Sequence, residues 1–478
     1  MRARRTVNLN VVSPVTLDSF ERDVLPTLLA YGEIPAISPA YDEKWGEHGE
    51  IERATQLLAQ WARERTLAEF SVRVQTIEGR TPVLIVDVAA TAPTTGTVVL
   101  YGHLDKQPPL GDWSEGLAPF SPTRRGDQLF ARGLADDGYA TFATLSALED
   151  MERQGIAHAR CVVLIEASEE SGSPDLLAHL DLLATQLGDV ELLICLDSGA
   201  ITYDRLWVTT SLRGNLIAHV RVDVLERGQH SGTSSGVVPS SFRILRQLLD
   251  RVEDAATGRV LIPELHGEIP ESHRVAAAAM TAEFGDVAGD EQPTIVGLDL
   301  MGDTPTDRLL QRTWSPTLSI TGVGGVPSVE NAGNVLRPYT ELVLSLRLPP
   351  NVNGDDAAEA LTRILTTDVP SHARVTVTTS PATGWLAPPL APWLERALDE
   401  ASVATFGKPV GYCGEGGTIP FLAQLGERYP AVQFVATGVL GPGSNAHGID
   451  EMLDLPTMIN VTNAVSHILS AHAAATSR

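Results

Sequence analysis

The run Thr97-Val98-Val99-Leu100-Tyr101-Gly102-His103-Leu104-Asp105 decides how this chain is read. Its apolar first half, followed by the breakers in Lys106-Gln107-Pro108-Pro109, predicts a buried strand of an α/β sheet opening into a loop. Residues i and i+2 of an extended strand project to the same side, so His103 and Asp105 point together at its carboxyl end. Ligands collect at that edge in open α/β sheets. An imidazole beside a carboxylate suits a metal ligand whose tautomer is fixed by a partner. Taken alone, the pair is explained equally well as an ordinary hydrogen-bonded strand end.

Around this run the pattern alternates. Strands are predicted over 83–88, 97–101, 161–166 and 191–196, and helices over 139–154 and 175–186. The alternation predicts an α/β domain with helices on both faces of a mostly parallel sheet. Helical spacing also covers 19–29 and 50–62. Beyond residue 208 the character changes. His219-Val220-Arg221-Val222-Asp223-Val224 and Glu341-Leu342-Val343-Leu344-Ser345-Leu346-Arg347 alternate as half-exposed strands do, with a further strand at 317–320. Helices over 240–252 and 355–366 accompany them, and residues 258–305 form a section rich in Gly, Pro and acidic residues. The expectation is an α+β module of antiparallel strands, 209–377, inserted between two catalytic pieces, 1–208 and 378–478. The last piece carries helices over 391–406 and 456–473 around a strand at 431–436.

At 478 residues the chain exceeds one hydrophobic core. Its 35 basic and 60 acidic residues give a net charge of −25, which disfavours nucleic acid and anionic membranes as partners. No apolar stretch approaches bilayer-spanning length. The basic start, Met1-Arg2-Ala3-Arg4-Arg5, is followed by Asn8, Asn10 and Ser13, which argues against a secretory segment. Three cysteines, Cys161, Cys195 and Cys413, are too few for a disulfide framework and fit reduced thiols in a cytoplasmic protein.

Four more segments repeat the logic of the first. Ala131-Arg132-Gly133-Leu134-Ala135-Asp136-Asp137-Gly138 sets paired carboxylates before a helix, where caps are the ordinary reading. Glu169-Glu170-Ser171-Gly172 follows the apolar Val163-Leu164-Ile165-Glu166. Leu193-Ile194-Cys195-Leu196-Asp197 ends another buried strand in Asp, and Gly441-Pro442-Gly443-Ser444-Asn445-Ala446-His447-Gly448 puts a histidine in a Gly-rich loop. Together these supply the imidazoles and carboxylates that two neighbouring zinc-like ions need, with a bridging carboxylate and one Glu left over as general base.

With this set of motifs the chain resembles the zinc-dependent metallopeptidases that include carnosinase, cytosolic non-specific dipeptidase, carboxypeptidase G and the aminoacylases. The likeness runs from about residue 28 to 473 and is nearest to the dipeptidase branch. It implies a di-metal aminopeptidase-like catalytic domain with an inserted lid and dimerisation domain. By resemblance, His103, Asp136 and Asp197 hold one ion, Asp136, Glu170 and His447 hold the other, and Asp136 bridges. Asp105 orients His103, Glu169 is the general base and acid, and the Asp136-Asp137 peptide is cis. In the inserted module, Leu212-Arg213-Gly214 and Gln229-His230-Ser231-Gly232 match lid segments of the family. His230 takes the place of a histidine that reaches the partner subunit's site and polarises the scissile carbonyl; a surface-loop histidine is the plainer reading. Arg347 matches an arginine that clamps a substrate carboxylate, a strand-end salt bridge being the alternative. Gly414-Glu415-Gly416-Gly417-Thr418-Ile419-Pro420 matches a Gly-rich active-site loop, in which Gly417 and Thr418 bind substrate with help from Asn334. It reads equally as a surface turn.

Two departures bear on substrate choice. The family usually has Lys after the Asp-Asp pair, where this chain has Gly138-Tyr139, and often has Arg where this chain has Gly414. The resemblance implies a homodimeric hydrolase of dipeptides or short peptides, acting through a di-metal-activated water. Zinc is the expected metal, with manganese or cobalt as alternatives. An amidohydrolase of N-acyl or N-carbamoyl amino acids would use the same site, and a non-catalytic binding protein of this fold is the third reading.

Overall fold

The computed structural model of the chain describes residues 15–290 and 292–477. The amino end read above, Met1 to Ser13, lies outside the described residues. The chain divides into two units: Met1–Thr209 with Pro388–Tyr412 and Gln424–Arg478, and Thr210–Ala387 with Cys413–Ala423.

In the first unit the strands lie in the order Phe70–Gln75, Val83–Val88, Arg160–Glu166, Thr97–His103, Val190–Cys195, Gln433–Ala436 and the start of Trp207–Leu212. Pairing is parallel among the four central strands, Arg160–Glu166 through Gln433–Ala436, and antiparallel at both margins. The mostly parallel sheet read from the sequence is thus mixed at its edges, where the short connection 76–82 makes a hairpin. Every residue of Thr97–His103 is buried, as expected of a strand covered on both faces. Val98, Leu100, Cys161, Val163, Ile165, Leu192 and Ile194 share a core with the helices Glu50–Arg63, Tyr139–Arg153, Pro392–Phe406 and Leu455–Thr476. The alternate residues Val99, Tyr101, Leu164 and Leu193 face the helix Leu176–Leu187. The predicted 19–29 helix is two helices, Leu17–Asp23 and Leu25–Gly32, because Pro26 opens a new first turn after Val24. Leu455–Thr476 begins where the Asp454 carboxylate accepts from Thr457 N at 2.9 Å.

The second unit holds a four-stranded antiparallel sheet ordered Thr317–Gly324, Tyr339–Leu348, Gly214–Asp223, Arg374–Ala382. Its two middle strands alternate strictly. Leu216, Ala218, Val220 and Val222 point inward with Leu342, Leu344, Leu346 and Leu348, against helices Ser241–Leu249 and Gly354–Thr366. The section read as rich in Gly, Pro and acidic residues contains a helix, Glu271–Phe284. Only Ala277 and Met280 of that helix are buried, so its apolar spacing gave little signal.

Candidate metal centre

In the first unit the parallel strands deliver their carboxyl ends to one edge. His103 is the last residue of its strand and lies in register with Glu166. Glu169–Ser171 is a single 3₁₀ turn beyond Arg160–Glu166, and Asp197 follows two residues after Val190–Cys195. Asp136 sits in the kinked Leu134–Gly138 segment, and its peptide bond to Asp137 is cis, as the resemblance implied. Gly102 is demanded here: a Cβ would fall 2.5 Å from Ala140 Cβ and 2.6 Å from Asp137 Oδ2.

Five of these side chains converge with Glu169. His103 Nε2 lies 3.2 Å from Asp136 Oδ1 and 3.7 Å from Asp197 Oδ2. His447 Nε2 lies 3.0 Å from Asp136 Oδ2 and 3.3 Å from Glu170 Oε2. The Asp136 carboxylate therefore stands between two imidazoles, one oxygen toward each. Ligand atoms of His103, Asp136 and Glu170 all lie within 4.8 Å of one another, as do those of His103, Glu169 and Asp197.

A second layer holds these groups. Asp105 is fully buried; its carboxylate accepts from the N–H groups of Glu169 and Glu170, each at 3.1 Å. His103 Nδ1 is 3.1 Å from the Asp105 carbonyl oxygen and 3.5 Å from its carboxylate, so the main chain is the nearer partner. Gln107 donates to Glu170 Oε2 at 2.6 Å. Asp137 Oδ2 accepts from His103 N at 3.3 Å, while its Oδ1 is buried without a partner among the described residues.

The electrostatics are those of crowded acids. Burial raises the Glu169 and Glu170 carboxyls well above the usual range, reinforced by Asp197 and Asp136 respectively. Burial works the same way on Asp136, but hydrogen bonds to His103 and His447 outweigh it and hold that carboxyl low. Burial disfavours the charged His103 ring, yet its acidic neighbours raise it well above the ordinary value. A mixed set of imidazole and carboxylate donors, mutually repelling and partly dry, fits divalent metal ions.

Residues without an assigned role in the sequence reading complete the surroundings. Glu166, buried and pushed up to about 7 by burial, accepts from Tyr101 Oη at 2.5 Å. In sequence Lys106 is only the first residue of the loop after the strand. It is fully buried; its Nζ donates to Tyr31 O at 2.9 Å and lies 4.1 Å from the Tyr31 ring centroid. At Gly138, where the resemblance leads one to expect Lys, a Cβ would fall 2.1 Å from Tyr31 Cε1. A side chain is shut out there, and the buried cation against Tyr31 is Lys106.

The remaining predicted residues belong to the second unit. Arg347 Nη1 donates to Thr418 Oγ1 at 2.9 Å, and that hydroxyl donates to Arg213 O at 2.5 Å. Among the described residues no carboxylate pairs with Arg347, so the salt-bridge alternative is not what the fold builds. Gly417 is exposed, with nothing within 4 Å of a Cβ. His230 and Asn334 are exposed; Gln229–His230 pairs with Val335–Leu336, and Ser231 N donates to Asn334 O at 2.9 Å.

Known proteins bear on this arrangement. A cysteinylglycine-S-conjugate dipeptidase of Corynebacterium striatum is 26% identical over 385 residues, 78% of this chain and 80% of that protein. A Beta-Ala-His dipeptidase of Homo sapiens is 26% identical over 381 residues, 76% of this chain and 73% of that one. Among solved structures, a di-peptidase from Saccharomyces cerevisiae superposes with a TM-score of 0.76 at 20% identity, over 96% of this chain and 97% of that one. An M20 family metallo-carboxypeptidase from Sulfolobus solfataricus gives 0.78 at 19%, over 94% and 99%. These likenesses in structure establish the shared fold. The sequence profile of peptidase family M20/M25/M40 matches residues 99–471, from the strand that ends at His103 to the helix after His447, and the chain belongs to that family.

Proposed function

We propose that the chain is a metal-dependent hydrolase that cleaves the amide bond of dipeptides or short peptides. The convergence of His103, Asp136, Glu169, Glu170, Asp197 and His447 carries this reading. Relatives named as dipeptidases over most of their length support it.

On this reading His103, Asp136 and Asp197 would hold one divalent ion and Asp136, Glu170 and His447 a second, with Asp136 common to both sets. Zinc suits these nitrogen and oxygen donors. When bound, such ions polarise a carbonyl and acidify water. Glu169, its carboxyl raised by burial, takes a proton from water and delivers it to the leaving amine nitrogen. Asp105 keeps Glu169 and Glu170 in place through their N–H groups. In the second unit, His230 Nδ1 accepts from Gly232 N at 3.1 Å, which leaves Nε2 to carry the proton. That N–H stabilises the oxyanion from the partner subunit. Arg347, with Thr418, Gly417 and Asn334, holds the substrate carboxylate. Homodimerisation through this unit is favoured by its edge strand Thr317–Gly324, whose Ile320 and Val323 are 50% and 58% exposed. A cytoplasmic location accords with the three cysteines, all free and buried. Among the described residues no helix is long and apolar enough to cross a membrane.

The test is a panel of dipeptides and N-acyl amino acids, assayed before chelation, after it, and after zinc or manganese is returned. Release of amino acids from dipeptides, lost with chelator and regained with metal, is expected. Absence of turnover on the whole panel, with or without metal, would refute the proposal.

A further inference from the structure

Two charged residues that the hydrolase reading does not use are among the most deeply buried in the first unit. Arg132 is 1% exposed and Glu451 is 0% exposed, and they pair at 2.8 Å. An ion pair withdrawn from water gains little net stability unless its remaining hydrogen-bonding capacity is met, and apolar residues would often serve as well. Here most of that capacity is spent on two particular loops, Arg132 Nε alone being buried without a partner among the described residues. The Glu451 carboxylate accepts from Gly133 N at 3.0 Å, Ala135 N at 3.2 Å and Asp136 N at 3.4 Å. Arg132 Nη2 donates to Gly448 O at 2.5 Å. One end of the pair thus grips the backbone that carries Asp136, and the other grips the residue after His447.

The His447 loop needs such a grip. Asn445, His447 and Asp450 all have left-handed backbones, with φ of 48°, 63° and 58°. Non-glycine residues persist in that conformation where surrounding contacts over-determine it. The His447 side chain is 56% exposed, so packing alone does not fix its ring.

We propose that Arg132 and Glu451 are positioning residues for one of the two ion positions, that of Asp136, Glu170 and His447, by clamping the Asp136 and His447 loops together. This rests on the two-ion hydrolase reading. It assigns the pair to the placement of ligands rather than to contact with substrate.

The experiment is calorimetric titration of metal-free protein with zinc, with bound metal counted by elemental analysis. The wild type is compared with Glu451→Gln, Arg132→Lys and His447→Ala. Wild type should take up two ions. Glu451→Gln and Arg132→Lys should weaken the ion that His447 holds about 10–100-fold, the usual effect of removing a ligand's supporting partner, and the other ion, which shares Asp136 but not His447, by clearly less. Adding Glu451→Gln to His447→Ala should weaken that same position less than the two single effects together, because both act on it. Two ions bound by both variants as in wild type, or both ions weakened equally, would overturn the clamp. If Glu451→Gln fails to fold, Arg132→Lys decides alone, since it keeps the charge but has one ammonium for two acceptors. A wild type that binds no ion would overturn the hydrolase reading itself, and the clamp with it.

Discussion

Each unit buries a cluster of like charge, and the two clusters are opposite in sign. In the first unit, carboxyls crowd around His103 and His447, and burial plus mutual repulsion pushes Glu169, Glu170 and Asp137 toward their protonated forms. In the second, Arg213 donates to the carbonyls of Gly416, Ser315 and Gln311 at 3.2, 3.3 and 3.4 Å, while Arg347 donates to a hydroxyl. Burial and the neighbouring Arg347 and Arg312 push Arg213 down to about 10. Carbonyl and hydroxyl dipoles satisfy the donors without neutralising them. The acidic cluster calls for cations and the basic one for an anion. On the proposed reading these are the metal ions and the substrate's carboxylate.

Chelation strikes the acidic cluster and carries the largest expected effect: turnover should vanish and return with metal. Uptake at 100 times Kd should raise unfolding stability by about 2.7 kcal/mol, read as a shift of the melting midpoint. Glu169→Gln comes next. It should lower kcat by about 10²–10⁴-fold with bound metal unchanged, and a variant of normal kcat would remove Glu169 from the chemistry. Arg347→Ala probes the basic cluster. It should raise KM by about 10–100-fold, from a lost charged hydrogen bond of about 1.5–3 kcal/mol. Substrates with an amidated carboxyl end should be indifferent to the change; equal losses for both would break the assignment.

The smallest effect concerns Lys106, a cation buried in the acidic unit with Glu451 and Arg132 for charged neighbours. Burial pushes its ammonium from 10.5 down to about 7, Glu451 opposing and Arg132 assisting. Between those values the unfolded chain binds more protons than the folded one, so this residue makes stability rise with pH above about 7. The slope is at most about 1.36 kcal/mol per pH unit. Denaturation of Lys106→Met at pH 7 and 9 should lack that slope, and identical slopes in the two proteins would count against the assignment.

The strands, their order of appearance and the ligand-bearing segments were legible because each announces itself locally: an apolar run, then His, Asp or Glu, then a breaker. The same signal accounts for His103, Glu169, Glu170 and Asp197. What escaped was non-local or weakly periodic. Arg132 stands inside a quoted motif, yet its partner Glu451 is 319 positions away, and no spacing rule spans that distance. Lys106 was hidden among loop residues because burial against Tyr31 is a property of the fold. The helix Glu271–Phe284 escaped because most of its surface meets water.

Cys161 and Cys195 lie in central strands with no exposed surface, and burial raises both thiols above their ordinary range. An alkylating reagent can reach them only when the sheet opens. The rate of their labelling under native conditions is therefore a built-in clock for the opening of the scaffold that carries His103 and Asp197, readable by mass spectrometry without any engineered probe.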